Sequence, residues 1–120
     1  MLNGQTALIV EEEFLIALDI QRMLEAWGAG QTLFARTAAE AEELRSHWPE
    51  IGLAVVDIRS DDMPALSLAE SLAAAGIPVV LATADAAVRQ GLTLQLPVVI
   101  KPVPEDIMAS AIRQALANSS

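Results

Sequence analysis

Several apolar runs of this 120-residue chain end in side chains that can bind ions or react. The residues at these ends are two adjacent acids, a third acid, a hydroxyl and an ammonium: Glu11, Glu12, Asp57, Thr83 and Lys101. Short unbroken apolar runs are typical of strands that are covered on both faces of a parallel sheet. Open α/β sheets bind their ligands at the carboxyl ends of such strands. We therefore expect these five side chains to meet at one edge of a sheet.

Three carboxylates that meet in this way require compensation. Unit charges about 4 Å apart interact by about 4 kcal/mol at an effective dielectric constant of about 20, so Glu11, Glu12 and Asp57 would repel one another strongly. Lys101 is the only lysine of the chain and follows one of the apolar runs. The sequence therefore predicts that Lys101 and a metal cation offset the repulsion.

The elements that would position these residues alternate between strand and helix. The pattern predicts five strands, at Thr6–Val10, Gln31–Ala35, Gly52–Asp57, Pro78–Ala82 and Leu96–Ile100. Helices are predicted after each strand, at Phe14–Trp27, Ala38–His47, Pro64–Ala75, Asp85–Gly91 and Pro104–Ala117. Arg59–Pro64 is predicted to be a polar loop. Regular alternation implies right-handed parallel crossovers, and hence a doubly wound α/β sheet.

Composition restricts the class of function. The length fits one domain, residues 1–120, and the 53% hydrophobic content argues against disorder. A net charge of −9 with only seven basic residues argues against direct binding of nucleic acid or of an anionic membrane. Cysteine is absent, which excludes disulfides and thiol catalysis. No signal peptide or membrane-spanning run is visible, so we expect a cytoplasmic protein.

The polar residues at the strand ends, in their order and spacing, resemble a known family. Acids after strand one, Asp57 after strand three, Thr83-Ala84 after strand four and Lys101-Pro102 after strand five are similar to the receiver domain of two-component response regulators. The resemblance covers essentially the whole chain, and the stretch Val10–Asp19 looks like stand-alone receivers. It implies the CheY-like, flavodoxin-like (βα)5 fold with strand order 2-1-3-4-5.

The resemblance also implies a role for each site residue. Asp57 would accept a phosphoryl group from a phosphohistidine, for which a carboxylate is a competent nucleophile. Glu11, Glu12, Asp57 and the backbone carbonyl of Arg59 would hold Mg²⁺, which prefers oxygen ligands. Lys101 and Thr83 would contact the phosphoryl oxygens. The Lys101-Pro102 bond would be cis, as is common in the family.

The sequence departs from the family pattern at three places. Glu12 stands where receivers usually carry an aspartate, and its extra methylene moves the carboxylate outward by about 1.5 Å. Mg²⁺ tolerates little distortion, so Glu12 puts ordinary metal binding in question. Val98 stands where many receivers carry an aromatic switch residue. The Arg59 side chain overhangs the site in this pattern, and we expect it to pair with Asp85.

Two functions are compatible with these residues. The first is a receiver that takes a phosphoryl group from a sensor histidine kinase or phosphotransfer protein and then changes its surface for a downstream protein. It catalyses its own phosphorylation and dephosphorylation and is otherwise not an enzyme. The second is a degenerate receiver that binds proteins without phosphorylation. A second copy of the chain is a further candidate partner, through apolar surface that we expect at Val103, Ile107 and Ala111.

Overall fold

The computed structural model describes residues 2–59, 62–92 and 95–118. Within these ranges the chain forms five strands: β1 Thr6–Val10, β2 Gln31–Ala35, β3 Ile51–Asp57, β4 Val79–Thr83 and β5 Val98–Ile100. The helices are α1 Phe14–Ala26, α2 Ala38–Glu43, α3 Met63–Ala74, α4 Ala86–Gly91 and α5 Glu105–Asn118, with a 3₁₀ segment at Arg45–Glu50. Residues 60 and 61 of the predicted polar loop lie outside the described residues.

All described strand pairs are parallel, and the order is β2-β1-β3-β4-β5. This confirms the predicted doubly wound α/β fold. The strand order places β1 and β3 side by side in the centre, and both are buried along their length except at Asp57. Two hydrophobic clusters cover the sheet: residues from α1 and α5 pack on one face, and residues from α2 and α3 pack on the other. Burial on both faces explains the continuous apolar runs.

The register of the strands brings their carboxyl ends level. Val10 of β1 pairs with Val56 of β3, and the next residue of β3, Asp57, pairs with Ala82 of β4. Thr83 then pairs with Ile100 of β5. The residues that follow these pairs therefore leave the sheet at the same edge, as the sequence predicts.

The second predicted helix is wrong in its extent. α2 ends at Glu43, and the chain then tightens into the 3₁₀ segment instead of continuing to His47. Pro49 offers no backbone N–H and disfavours an α conformation at the preceding residue. Trp48 is buried there, and its indole N–H donates to the carbonyl of Ala41 at 3.2 Å. Thr37 is the N-cap of α2, since its Oγ1 accepts from the backbone N–H of Glu40 at 3.2 Å.

The apolar surface predicted on the last strand and helix is largely wrong. Val103 and Ala111 are buried in the cluster that α1 and α5 form, and only Ile107 is exposed. The most exposed large apolar side chains are Phe14 and Leu15 at the start of α1, at 69% and 79%, and Met63 at the start of α3, at 66%. Within the described residues, no helix is both long and apolar enough to cross a membrane.

Candidate functional site

Four strands deliver the predicted residues to one edge of the sheet. Asp57 ends β3, Thr83 ends β4, Glu11 follows β1 directly and Lys101 follows β5 directly. The backbone N–H of Lys101 donates to the carbonyl of Thr83 at 2.7 Å, which extends the β4–β5 pairing by one residue. The backbone N–H of Glu11 similarly donates to Ala35 of β2 at 3.0 Å. Backbone hydrogen bonds between neighbouring strands therefore fix the positions of Glu11 and Lys101.

Lys101 lies between two of the acids. Its Nζ is 2.6 Å from Asp57 Oδ1 and 2.6 Å from Glu11 Oε1. The side chains of Lys101, Asp57 and Glu11 are 9%, 11% and 1% exposed. The second oxygen of Glu11 accepts from the backbone N–H of Glu13 at 3.1 Å. Glu11 is therefore satisfied on both oxygens and fixed in orientation.

These contacts determine the protonation of Lys101. Burial by itself disfavours the ammonium, but the hydrogen bonds and the negative charges of Asp57 and Glu11 outweigh it. The net effect raises the pKa of Lys101 above its ordinary value of 10.5. Lys101 is thus a permanent positive charge beside Asp57 at neutral pH. The predicted cis bond between Lys101 and Pro102 is also confirmed.

Arg59 supplies a second positive charge at the site. One guanidinium nitrogen, Nη2, donates to Glu12 Oε2 at 2.8 Å, and Nε lies 3.7 Å from Asp57 Oδ2. Proximity of Glu12, and then of Asp57, raises the pKa of Arg59. The sequence-based expectation named Asp85 as the partner of Arg59. The carboxylates with which Arg59 forms ion pairs in the described structure are those of Glu12 and Asp57.

Thr83 completes the arrangement on the β4 side. It is buried, and its Oγ1 accepts from the backbone N–H of Asp85 at 3.2 Å. The Asp85 side chain in turn caps α4, accepting from the N–H of Ala87 at 2.9 Å. The hydroxyl of Thr83 donates in turn to the backbone carbonyl of Asp85 at 3.5 Å, a long hydrogen bond that it can exchange for a ligand at the same edge.

Two clefts open on either side of Asp57. One, of about 400 Å³, is lined by Asp57, Thr83 and Lys101, together with Glu13, Ile58, Arg59, Ala84 and Asp85. The other, of about 440 Å³, lies towards α2 and α3 and includes Glu12, Arg36 and Asp62 in its lining. Asp57 and Arg59 line both clefts. A small anionic group can therefore approach the Asp57 carboxylate from solvent.

The predicted metal ligands do not form a metal site in their present arrangement. Within the described part of the chain, no group of three acidic or histidine side chains is placed to hold one ion. Glu11 is bound to Lys101 and to the N–H of Glu13, whereas Glu12 is bound to Arg59. The backbone carbonyl of Arg59 accepts from the N–H of Asp62 at 3.3 Å. The donor set fits a divalent ion only if these contacts change, so Mg²⁺ binding stays a prediction.

Sequence reasoning missed the partner of the Arg59 side chain. β3 has β1 on one side and β4 on the other, so Glu12 and Asp85 both follow strands adjacent to the one that Arg59 follows. Strand order therefore does not discriminate between them. The relevant signal is the length of Glu12, whose extra methylene extends its carboxylate outward from the sheet edge.

Comparison with known proteins finds similarity at the level of structure. No protein-family model matches the chain, and no curated protein matches it. A sensor protein from Polaromonas sp. JS666 superposes with a TM-score of 0.80 at 23% identity, covering 97% of this chain and 98% of its own. The receiver domain of the response regulator PhyR from Erythrobacter litoralis superposes with a TM-score of 0.76 at 25% identity, covering 96% and 92%. The signal receiver domain of a histidine kinase from Syntrophus aciditrophicus gives 0.74 at 26% identity, covering 95% and 91%.

Proposed function

The chain has the fold of response-regulator receiver domains, and we propose on that premise that it accepts a phosphoryl group on Asp57 in two-component signalling. One observation carries the proposal. The Asp57 carboxylate faces an open cleft while the single lysine of the chain lies 2.6 Å from its Oδ1. An ordinary carboxylate at a strand end would not need a buried ammonium beside it.

The proposed transfer uses groups that the site already contains. Asp57 Oδ2, the oxygen that is not bonded to Lys101, attacks the phosphorus atom of a phosphohistidine. A P–O bond to Asp57 forms as the P–N bond breaks, and the imidazole leaves and recovers a proton from solvent. Phosphoryl transfer needs positioning and charge stabilisation more than covalent assistance from the protein.

Three side chains are proposed to stabilise the transferred group. The Lys101 ammonium, already next to Asp57, pairs with the phosphoryl oxygens as a point charge. The Thr83 hydroxyl donates to the same oxygens from the end of β4. The Arg59 guanidinium, 3.7 Å from Oδ2, is the second cation within reach. The protein's own cations thus neutralise part of the charge that the phosphoryl group brings.

The proposed partners are proteins. The donor is a sensor histidine kinase or a phosphotransfer protein, and a downstream protein reads the phosphorylated surface. A phosphoryl group adds about −1.5 to −2 charges, which is enough to reorder neighbouring contacts such as the Arg59–Glu12 pair. The proposed activity is signalling rather than turnover of a metabolite, because the chemistry ends on Asp57 itself.

A second candidate function is supported by the same site. Glu11, Glu12 and Asp57 each form an ion pair with Lys101 or Arg59, so every one of these acids has a cationic partner without any added ion. This arrangement suits a degenerate receiver that binds a partner without phosphorylation. The exposed Phe14 and Leu15 offer such a partner an apolar contact.

A small phosphoryl donor separates the two functions. The protein is incubated with phosphoramidate or acetyl phosphate, with and without MgCl₂, and its intact mass is measured. We expect one phosphoryl addition in the parent protein and none in Asp57→Asn. Asp62→Asn is the matched control, since Asp62 caps α3 through the N–H of Ala65 and asparagine keeps that cap.

Asp62→Asn is expected to be labelled like the parent protein. If neither small donors nor a phosphorylated histidine kinase labels the parent protein under any divalent ion, the proposal is wrong and the phosphorylation-independent function takes its place. Equal labelling of the parent and Asp57→Asn would also contradict it.

A further inference from the structure

The Arg59 guanidinium lies between acids that the receiver resemblance assigns to a metal ion. Its guanidinium contacts Glu12 through Nη2 and lies near Asp57 through Nε, so it joins two of the three predicted acidic ligands. The remaining acid, Glu11, is held by Lys101. Arg59, two residues beyond the end of β3, thus bridges Glu12 and Asp57.

The charge balance points in the same direction. Glu11, Glu12 and Asp57 carry three negative charges against the two positive charges of Lys101 and Arg59, which leaves one negative charge. Without Arg59, two negative charges would remain, which is the number that a divalent cation neutralises. Arg59 therefore reduces the charge that would attract such an ion.

We propose that the Arg59 guanidinium is the resident cation of this site, binding Glu12 and Asp57 in place of a divalent metal ion. The protein then binds Mg²⁺ weakly, because the ion must displace Arg59 from both carboxylates. The contact is exchangeable, since the Arg59 and Glu12 side chains are 60% and 51% exposed. The inference rests on the site of the proposed function, but its test requires no phosphoryl donor.

The length of the Glu12 side chain allows its carboxylate to reach the Arg59 guanidinium. An aspartate at position 12 would withdraw the carboxylate towards the sheet by about 1.5 Å. At its present length, Glu12 places Oε2 2.8 Å from the Arg59 guanidinium, which offers several N–H donors in a fixed planar fork. Glu12 and Arg59 therefore act as a pair. The glutamate at position 12, in place of the usual aspartate, is what allows Arg59 to bind at this site.

Direct titration with metal tests the inference. Isothermal titration with MgCl₂, and in parallel with MnCl₂, is carried out on the parent protein, Arg59→Ala and Arg45→Ala. Arg45 is a matched control because it also forms an exposed pair with a glutamate, Glu42, at 2.6 Å, and because it precedes β3 and so lies towards the opposite edge of the sheet.

Arg59→Ala is expected to bind Mg²⁺ about fivefold more tightly than the parent, the factor that corresponds to breaking an exposed ion pair of about 1 kcal/mol. Arg45→Ala is expected to bind like the parent. Adding Asp57→Asn to Arg59→Ala should remove the gain, which places the new affinity at this site. Equal binding by Arg59→Ala and the parent, including no binding by either, overturns the inference. An equal gain in Arg45→Ala also overturns it, because only the net charge would then matter.

Failure of this inference is distinguishable from failure of the proposed function. The difference in Mg²⁺ affinity between the parent protein and Arg59→Ala shows whether Arg59 competes with the metal ion. Labelling of Asp57 shows whether phosphoryl transfer occurs. A protein that is labelled on Asp57 but shows no change in metal affinity in Arg59→Ala retains the function and loses the inference.

Discussion

Lys101 and Arg59 neutralise overlapping sets of carboxylates in opposite surroundings. Lys101 is 9% exposed and binds Glu11 and Asp57 from inside the fold. Arg59 is 60% exposed and binds Glu12 and Asp57 from the solvent side. Asp57 is the residue that the two cations share. At Asp57, the contact with Lys101 is therefore fixed, whereas the contact with Arg59 is exchangeable.

Burial determines which cation can be replaced. Charges removed from water are costly unless they are paired, so losing one member of a buried pair exposes the full penalty of the other. An exposed pair gains little, because water and salt compete with each partner. Lys101 is accordingly expected to stay in place, while Arg59 can leave for a phosphoryl group, a metal ion or a protein partner.

The largest expected effect comes from removing the buried cation. Lys101→Ala leaves the buried Glu11 without a counter-charge and leaves Asp57 with Arg59 alone, which should lower the free energy of unfolding by about 3–5 kcal/mol. Urea denaturation followed by circular dichroism measures this change. The double variant Glu11→Gln/Lys101→Ala should regain part of the loss, since it leaves one fewer buried charge. An unfolding free energy unchanged in Lys101→Ala would show that the buried bridge does not exist.

Alkaline pH should weaken the same bridge. The pKa of Lys101 is raised above 10.5, so its stabilising contribution is complete below pH 10.5 and is lost as pH rises through the higher folded value. The chain contains no tyrosine and no cysteine, so Lys101 is the only side chain expected to titrate between about pH 9 and about pH 12.

We therefore expect the free energy of unfolding of the parent protein to fall as the pH rises above 10.5. Lys101→Met, which cannot titrate, should show no such fall. The measurement is a series of urea denaturation curves at increasing pH. If the free energy of unfolding fell equally with pH in the parent protein and in Lys101→Met, groups other than Lys101 would be responsible.

Removal of the exposed cation is expected to have the smallest effect on the free energy of unfolding. Arg59→Ala should change the free energy of unfolding by less than about 1 kcal/mol, and raising the salt concentration should reduce even that difference. Arg22→Ala, which removes exposed ion pairs with Asp19 and Glu105, should also have a small effect. A loss in Arg59→Ala as large as that in Lys101→Ala would contradict the distinction between a fixed and an exchangeable cation.

The same contrast explains what the sequence could predict. The apolar runs that end at Val10 and Asp57 identify buried parallel strands, and the register of those strands then brings Glu11, Asp57 and Lys101 together without further information. A local signal also marks the start of α2, where Thr37 stands three residues before Glu40, the spacing of a capping box, and its hydroxyl caps the helix. Strand ends and helix caps depend on nearby residues, and so the sequence specifies them well.

Features that depend on side-chain conformation were not predictable. The sequence does not show which acid a long, exposed arginine such as Arg59 will contact, because several partners lie within its reach. It also does not show that Val103 and Ala111 face the core, since the position of α5 on the sheet decides their burial. Trp48 illustrates the same limit, because its hydrogen bond to Ala41 accompanies an early end of α2.

The identity of the phosphorylated residue decides whether Asp57 is the phosphoryl acceptor. After incubation with phosphoramidate, the protein is treated with sodium borohydride, which reduces an aspartyl phosphate to homoserine, and is then digested and analysed by tandem mass spectrometry. We expect homoserine at position 57 and at no other acidic residue. Homoserine at another position, or unmodified Asp57 after treatment with every small donor and with a phosphorylated histidine kinase, would contradict it.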